Sequence, residues 1–427
     1  MAISALSAAF TSNLSGAVTG EKLIFLFKEE LHLSVSGVGT LNILLGIPFY
    51  LQPFLGVWSD LFPFFGYHRR SYYVLASGMG ALGYLGLSLL HEYHYATVAC
   101  LLLVALAGGT LLLVMVNAVM VGIGNLTGTF GILQSLAIAV PLLMTLTYTS
   151  HLTGYVTQHW SYQHCFQMAA LLFLVYAPLV LLIDEQRVGG VKPANETKEE
   201  SAARMAVRQK EREVKATALW QAAANRDMWL VIGFVFYLGI TPGVFTAQIY
   251  FMTDVLHFDK QFIGDLRSWE AAGQIAALAG FMTASRFLPV RALVWGAWLM
   301  DCLSYPIQMY LHDATSARFV KFFASLVGVL YALCLNMLAA RACPPGIEGT
   351  VYGLVMATIQ LGGVLSEKFG GVLYDYFGPL NKSHHYTVQH GWIWALWIGL
   401  GFTLLAVVFI PFLPEWARSQ ERVNSRS

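Results

Sequence analysis

Three observations predict an all-α membrane protein, a bundle of twelve transmembrane helices in two parallel, pseudo-symmetric halves. The 427-residue chain is 57% hydrophobic and only 11% charged, against about 25% charged in an average soluble domain, and its mean hydropathy is +0.60. Its apolar residues gather into twelve runs of membrane-crossing length. Short matches recur between its two ends at nearly constant spacing. A soluble chain of this length could not hide so much apolar surface in its cores, whereas lipid solvates helix exteriors directly. The net charge of +1 is too small to drive counterion release, which argues against a nucleic-acid partner. The partners expected of such a chain, as a monomer, are the lipid bilayer and a small-molecule substrate.

A spanning helix needs about 20 mostly apolar residues to cross about 30 Å of hydrocarbon. That criterion places segments at 4–27, 36–57, 72–90, 95–121, 128–150, 164–183, 228–252, 262–285, 291–311, 319–340, 350–372 and 391–413. The first is polar for a span, with Asn13, many Ser and Thr residues, and Glu21-Lys22 near its end. No basic region precedes it, so no cleavable signal peptide is expected and it stays in the membrane. Segment 262–285 is also polar, with Asp265, Arg267, Glu270 and Gln274. Residues 184–227 change character abruptly: nine Lys and Arg are interleaved with acids, and 196–215 reads as a surface helix laced with charge pairs. The chain thus divides into an N-terminal six-helix half (1–183), a charged linker (184–227), a C-terminal six-helix half (228–413) and a tail (414–427). With the linker in the cytoplasm, that face collects seventeen of the 25 Lys and Arg residues. The positive-inside rule then assigns the linker and both termini to the cytoplasmic side of the inner or plasma membrane.

The halves repeat each other. Leu31-His32-Leu33-Ser34 followed by Val38-Gly39-Thr40-Leu41 matches Leu256-His257-Phe258-Asp259 followed by Ile263-Gly264-Asp265-Leu266, at an offset of 225. Gly128-Thr129-Phe130-Gly131 matches Gly349-Thr350-Val351-Tyr352-Gly353 at an offset of 221, and Asn117 corresponds to Asn336 at 219. Ser34 and Asp259 stand where an N-cap would start the following helix. Offsets in one chain direction indicate parallel repeats, the arrangement of major facilitator halves.

Enzyme signatures are absent. His91-Glu92-Tyr93-His94 separates its histidines by two residues where the zinc-protease helix needs three. Gly122-Ile123-Gly124 lacks the third glycine of a phosphate loop and follows a membrane helix. The five cysteines form no CxxC pair, so neither a zinc site nor a disulfide framework is signalled. No cofactor or metal is expected.

One polar stretch interrupts the apolar pattern between the second and third segments. It opens with Gly56 and Ser59-Asp60 and closes with Arg69-Arg70. The Asp60 carboxylate can pair across this loop or face the positive N-terminal end of a neighbouring helix. Plain topology also accounts for it, with the arginines obeying the charge rule and Asp60 solvated. The pattern of Gly56, Ser59-Asp60, Pro63, Gly66-Tyr67 and Arg69-Arg70-Ser71-Tyr72 resembles the folate–biopterin transporter family, a branch of the major facilitator superfamily. Ala340-Arg341-Ala342-Cys343-Pro344-Pro345-Gly346-Ile347-Glu348-Gly349-Thr350 is similar to a second family stretch. Phe251-Met252-Thr253-Asp254-Val255-Leu256 with Phe262-Ile263-Gly264-Asp265-Leu266-Arg267 is similar to a third.

The resemblance implies a secondary active transporter that moves a small, planar, polar metabolite of folate or pterin type by alternating access, as a proton symporter. Two departures bear on the cargo. The family commonly has a lysine where this chain has Gln52, and acids in the fourth segment where this chain reads Leu113-Val114-Met115-Val116-Asn117. Transport of a different solute, or service as a pigment-delivery or complex-assembly factor, is the alternative. The substrate-binding candidates are the polar groups Asn42, Gln52, Asn117, Gln134, Gln248, Arg267, Asn336 and Gln360. Glu270 and Asp301 are the coupling candidates. Arg267 and Glu270 lie three apart on one helical face, so a mutual ion pair is the plainer reading of both. Gly56, Asp60, Arg69 and Arg70, with Glu348 and Gly349 at the start of the eleventh segment, make the predicted cytoplasmic gate.

Overall fold

The structure is a computed structural model that describes residues 16, 18–52, 54–55, 58, 70–127, 140–179, 226–284, 290–341, 348–378 and 388–413. Helix lies within each of the twelve predicted segments, and no strand occurs among the described residues. The helices are α1 (18–29), α2 (Val35–Leu45, running on into the short turn Ile47–Tyr50), α3 (Arg70–Ser88), α4 (Tyr95–Thr127), α5 (the π-turn Thr145–Thr149 leading into Ser150–His159) and α6 (Tyr162–Leu179). The second half holds α7 (Arg226–Gly239, then Phe245–Asp254), α8 (Lys260–Ala284), α9 (Val290–Met309), α10 (Ala314–Arg341), α11 (Glu348–Tyr376) and α12 (Val388–Leu405). Tyr95–Val116, Ala314–Leu335 and Gln389–Phe412 are long and apolar enough to cross a membrane by length and composition alone. The linker, except for the last residues that open α7, and the tail lie outside the described residues.

The internal repeat is visible bond by bond. α1 ends with Leu31 N donating to Leu26 O (3.1 Å) and Leu33 N to Phe27 O (2.9 Å). α7 ends with Leu256 N donating to Phe251 O (3.3 Å) and Phe258 N to Met252 O (3.0 Å). Every residue in the second set stands 225 positions beyond its counterpart in the first. Both turns are made by histidines in the left-handed region, His32 at φ 50° and His257 at φ 52°. That conformation is uncommon for a residue with a Cβ, although histidine is among those enriched there. Ser34 caps α2 as predicted, its Oγ accepting from Gly37 N (3.2 Å). Asp259 offers its backbone carbonyl to Ile263 N (3.1 Å).

Two seams join the halves: α2 runs along α11, and α5 runs along α8. They are pseudo-equivalent and share one device. A Cβ on Gly39 would stand 2.7 Å from Lys368 Cα, and one on Gly264, 225 residues on, would collide with the backbone of Gly154. Only hydrogen fits at either place, so the backbones close to van der Waals distance, as small residues allow in membrane bundles. Beside the seams, one apolar core crosses between the halves. It includes Phe25, Leu41 and Phe166 with Tyr250, Phe251 and Trp392, and Phe251 stacks on Trp392 at 5.1 Å between ring centroids.

The seventh segment, predicted as one span over 228–252, is broken at 240–244. Pro242 has no N–H to continue the ladder, and the freed groups find partners on α11. Gly243 N donates to Ser366 O (3.0 Å), and Ser366 Oγ donates to Thr241 O. Phe245 N and Thr246 N, the exposed donors of the second half-helix, both bond the Glu367 carboxylate at 3.1 Å. Side-chain and backbone partners of this kind are what make a broken helix tolerable at membrane depth.

Candidate functional site

At the end where α1 meets α2 and α7 meets α8, the halves are tied by charge. Lys28 of α1 bonds Thr253 and Asp254 of α7. Lys260 of α8 bonds Glu29 of α1 (2.7 Å), and Tyr162 of α6 donates to the same carboxylate (2.8 Å). Burial works against the charged form of Glu29, but the bonds from Lys260 and Tyr162 outweigh it and hold its carboxyl below the ordinary range. Tyr250 OH donates to Leu33 O (2.8 Å). Along the seams, Lys368 donates to Ser36 O (2.8 Å) and Thr40 Oγ1 (2.6 Å), while Asp375 accepts from Ser36 N (2.8 Å). His151 faces Asp265 at 2.8 Å across the other seam. Deeper, Arg267 Nε donates to Glu21 Oε1 at 2.8 Å, and Glu21 is 4% exposed. Each of these contacts joins one half to the other, apart from the Tyr162 bond.

Two cavities lie within the halves. One, of about 370 Å³, is lined mainly by apolar and aromatic groups including Phe49, Tyr84, Phe173 and Leu23, with Thr19 and Gly20 of α1. Arg267 overlooks its Gly20 edge: a Cβ there would stand 3.4 Å from Arg267 Nη2. The other, of about 280 Å³, lies at the α7 break and is lined by Thr241, Asp301, Ser304, Tyr305, Tyr331 and Ser366 among others.

The predicted substrate and coupling residues separate into distinct environments. Arg267 and Glu270 do not pair with each other: Arg267 takes Glu21, and Glu270 takes Lys321 of α10 at 2.7 Å. Each charge finds its partner on a helix packed beside α8, which supplants the pair the spacing alone suggests. Asp301 Oδ2 accepts from Thr403 Oγ1 (3.1 Å) at the second cavity. Gln248 is buried on the second half of α7, Asn42 and Gln52 are half-buried on and just after α2, and Gln360 is exposed on α11. Asn117 and Asn336 lie in α4 and α10, with side chains outside the description; Gln134 lies outside the described residues. So do Gly56, Asp60 and Arg69, while Arg70, Glu348 and Gly349 are described only as helix starts.

Sequence reasoning misses the lysines. The charge count places Lys22, Lys28 and Lys260 on the outer side as topology markers and gives them no further role. Lys22 is buried inside the N-terminal half, donating to Thr157 O (2.9 Å) and Trp160 O (2.6 Å). Lys28 and Lys260 bind across the halves. A signal exists for Lys28: Lys28-Glu29 stands at the same offset of 225 from Thr253-Asp254 as the match beside it.

Comparison with known proteins places this geometry. A folate–biopterin transporter of Synechocystis is 28% identical over 83% of this chain and 71% of its own length. The folate transporter 2 of Plasmodium falciparum is 23% identical over 95% and 86%, and a probable folate–biopterin transporter 2 of Arabidopsis thaliana is 22% identical over 84% and 72%. Among solved structures, the nucleoside transporter NupG superposes with a TM-score of 0.69 at 12% identity, covering 95% of this chain and 98% of that one. A D-xylose–proton symporter gives 0.70 at 13%, covering 98% of each. Those likenesses establish a major facilitator-type fold. The model of the BT1 family matches residues 18–427, and this protein belongs to the BT1 family.

Proposed function

We propose that this protein is a secondary transporter that carries a folate- or pterin-like metabolite by rocking its two halves about the α2–α11 and α5–α8 seams. The observation that carries the reading is the set of inter-half charge contacts gathered toward one end: Lys28–Asp254, Lys260–Glu29 and Arg267–Glu21. Charge contacts divided between the halves can form in one state and release in the other, as a rocking device needs. The names of the relatives support the cargo class. The 370 Å³ cavity supports it too, since aromatic walls suit a flat ring and the Arg267 guanidinium at its edge suits a carboxylate. By the positive-inside reading, the latched end faces outward. The 56–70 loop with Glu348 and Gly349 then forms the opposing cytoplasmic gate.

The test joins the latch to transport. With Lys28→Cys and Asp254→Cys bridged by a short, cleavable bifunctional thiol reagent, uptake of radiolabelled folate or biopterin into proteoliposomes should stop, and reduction should restore it. Undiminished uptake in the bridged protein would show that the halves need not part at this end.

A further inference from the structure

Among the helix acids whose side chains are described, all but one meet a basic side chain or a helix N-terminus. Glu21 has Arg267, Glu270 has Lys321 and Asp265 has His151. Glu367 caps the second half of α7, and Asp375 takes the Ser36 N–H near the start of α2. Among the described residues, Asp301 has only the Thr403 hydroxyl, and no Lys, Arg or His lines its cavity. The titratable groups facing it are the Tyr305 phenol and the Cys302 thiol of its own helix and the Tyr331 phenol of α10. The helices α7, α11 and α12 present Thr241, Ser366 and Thr403 to this region, none of them charged. Phenols and thiols ordinarily titrate well above the range of a carboxyl group, so none of them supplies a counter-charge. A lone carboxylate in a membrane bundle is costly and marks an ion or proton path by default. The cavity offers hydroxyls from four helices and room for several waters.

This place is also joined to the latch. Tyr305 follows Asp301 by one helical turn, and its hydroxyl donates to Pro242 O in the α7 break (3.4 Å). The half-helix that leaves the break carries Tyr250, Thr253 and Asp254, three of the groups that hold the halves together. A change of charge at the break therefore acts on the root of the latch-bearing half-helix.

We infer that the cavity at the α7 break is a proton-binding site, in which Asp301 takes a proton from water in one state and returns it to the opposite compartment in the other. The carboxylate gains one proton and becomes the neutral acid, and the reverse step restores it; no other bond changes. Glu270, the other coupling candidate, is instead paired with Lys321 of α10. The inference rests on the transporter reading above.

Purified protein in proteoliposomes tests it with three readouts. Under an inward proton gradient, the wild type should accumulate radiolabelled folate or biopterin and lose the accumulation with a protonophore. Asp301→Asn should lose accumulation at least tenfold while keeping exchange of labelled for unlabelled probe across a symmetric membrane. Glu270→Gln combined with Lys321→Met, which removes the pair together and strands neither charge, should keep its response to the gradient. Gradient-driven accumulation by Asp301→Asn, or accumulation by the wild type that ignores the gradient, overturns the inference. If the wild type exchanges neither probe, it is the cargo reading that fails, and the proton site is then decided by infrared difference spectroscopy. A carboxylic-acid stretching band that titrates in the wild type and is missing in Asp301→Asn supports the site, and a band that is absent or unchanged overturns it.

Discussion

Arg267 shows how much one side chain depends on its partner. Its guanidinium is fastened to Glu21, which is almost fully buried. Removing one member of a buried pair strands the other charge and costs about 3–5 kcal/mol. Glu21→Ala and Arg267→Ala should therefore each lose uptake and lower the melting temperature. The exchange Glu21→Arg with Arg267→Glu should recover part of both. A swap no better than the single changes would mean that Arg267 serves the substrate and not the pair. Gly264 offers a steric counterpart. Gly264→Val places methyl groups against the Gly154 backbone, and overpacking of this kind costs about 1–3 kcal/mol. Thermal unfolding in detergent should show that loss, while the same change at Gly280, which has nothing within 4 Å of its Cβ position, should not.

Among the elements, α7 carries the most consequence. Its hydropathy reads as one continuous span, because the break needs only Pro242-Gly243 and a run of apolar neighbours. What completes the break is Ser366 and Glu367 on α11, more than a hundred residues away, and no local pattern encodes that pairing. Glu367→Ala leaves the Phe245 and Thr246 N–H groups without their cap, a loss of about 1–2 kcal/mol. Uptake should fall with it, since the latch groups ride on the uncapped half-helix; full uptake in the variant would separate the break from gating. The ends of α1 and α7 are, in contrast, legible. Leu31-His32 and Leu256-His257 mark the same turn in both halves, and the left-handed histidines sit at those positions.

For the whole molecule, the apolar runs and the repeat are enough to read a two-half membrane bundle, because lipid imposes helix on every spanning segment. The inter-half charges are not legible in the same way. A lysine beside a membrane span satisfies topology and a salt bridge equally well, and only the packing of α1 against α7 and α8 decides between them. The latch also carries a pH dependence of definite sign. Glu29 is held below its ordinary value, so its contribution is complete above about pH 4.3 and is lost as pH falls through the lowered value. Thermal unfolding of the purified protein should lose that contribution in acid, and Glu29→Gln should flatten that part of the profile; an identical profile in the variant would assign the effect elsewhere. In the cytoplasmic gate proposed for 56–70, Asp60→Asn should shift the halves toward the inward-open state, read by cysteine labelling from each face. Unchanged labelling of both faces would remove Asp60 from the gate.

The seams have one more property. Gly39 and Gly264 occupy the same place in the two repeats, and each closes on the fifth helix of the opposite half, α11 and α5 respectively. Such reciprocity is the signature of an isologous contact, the self-complementary surface of a twofold homodimer. The single chain thus retains the geometry of two subunits, joined by a tether that the contact itself does not need. Residues 1–200 and 216–427, expressed as separate polypeptides, should find each other and rebuild the intact assembly in the membrane.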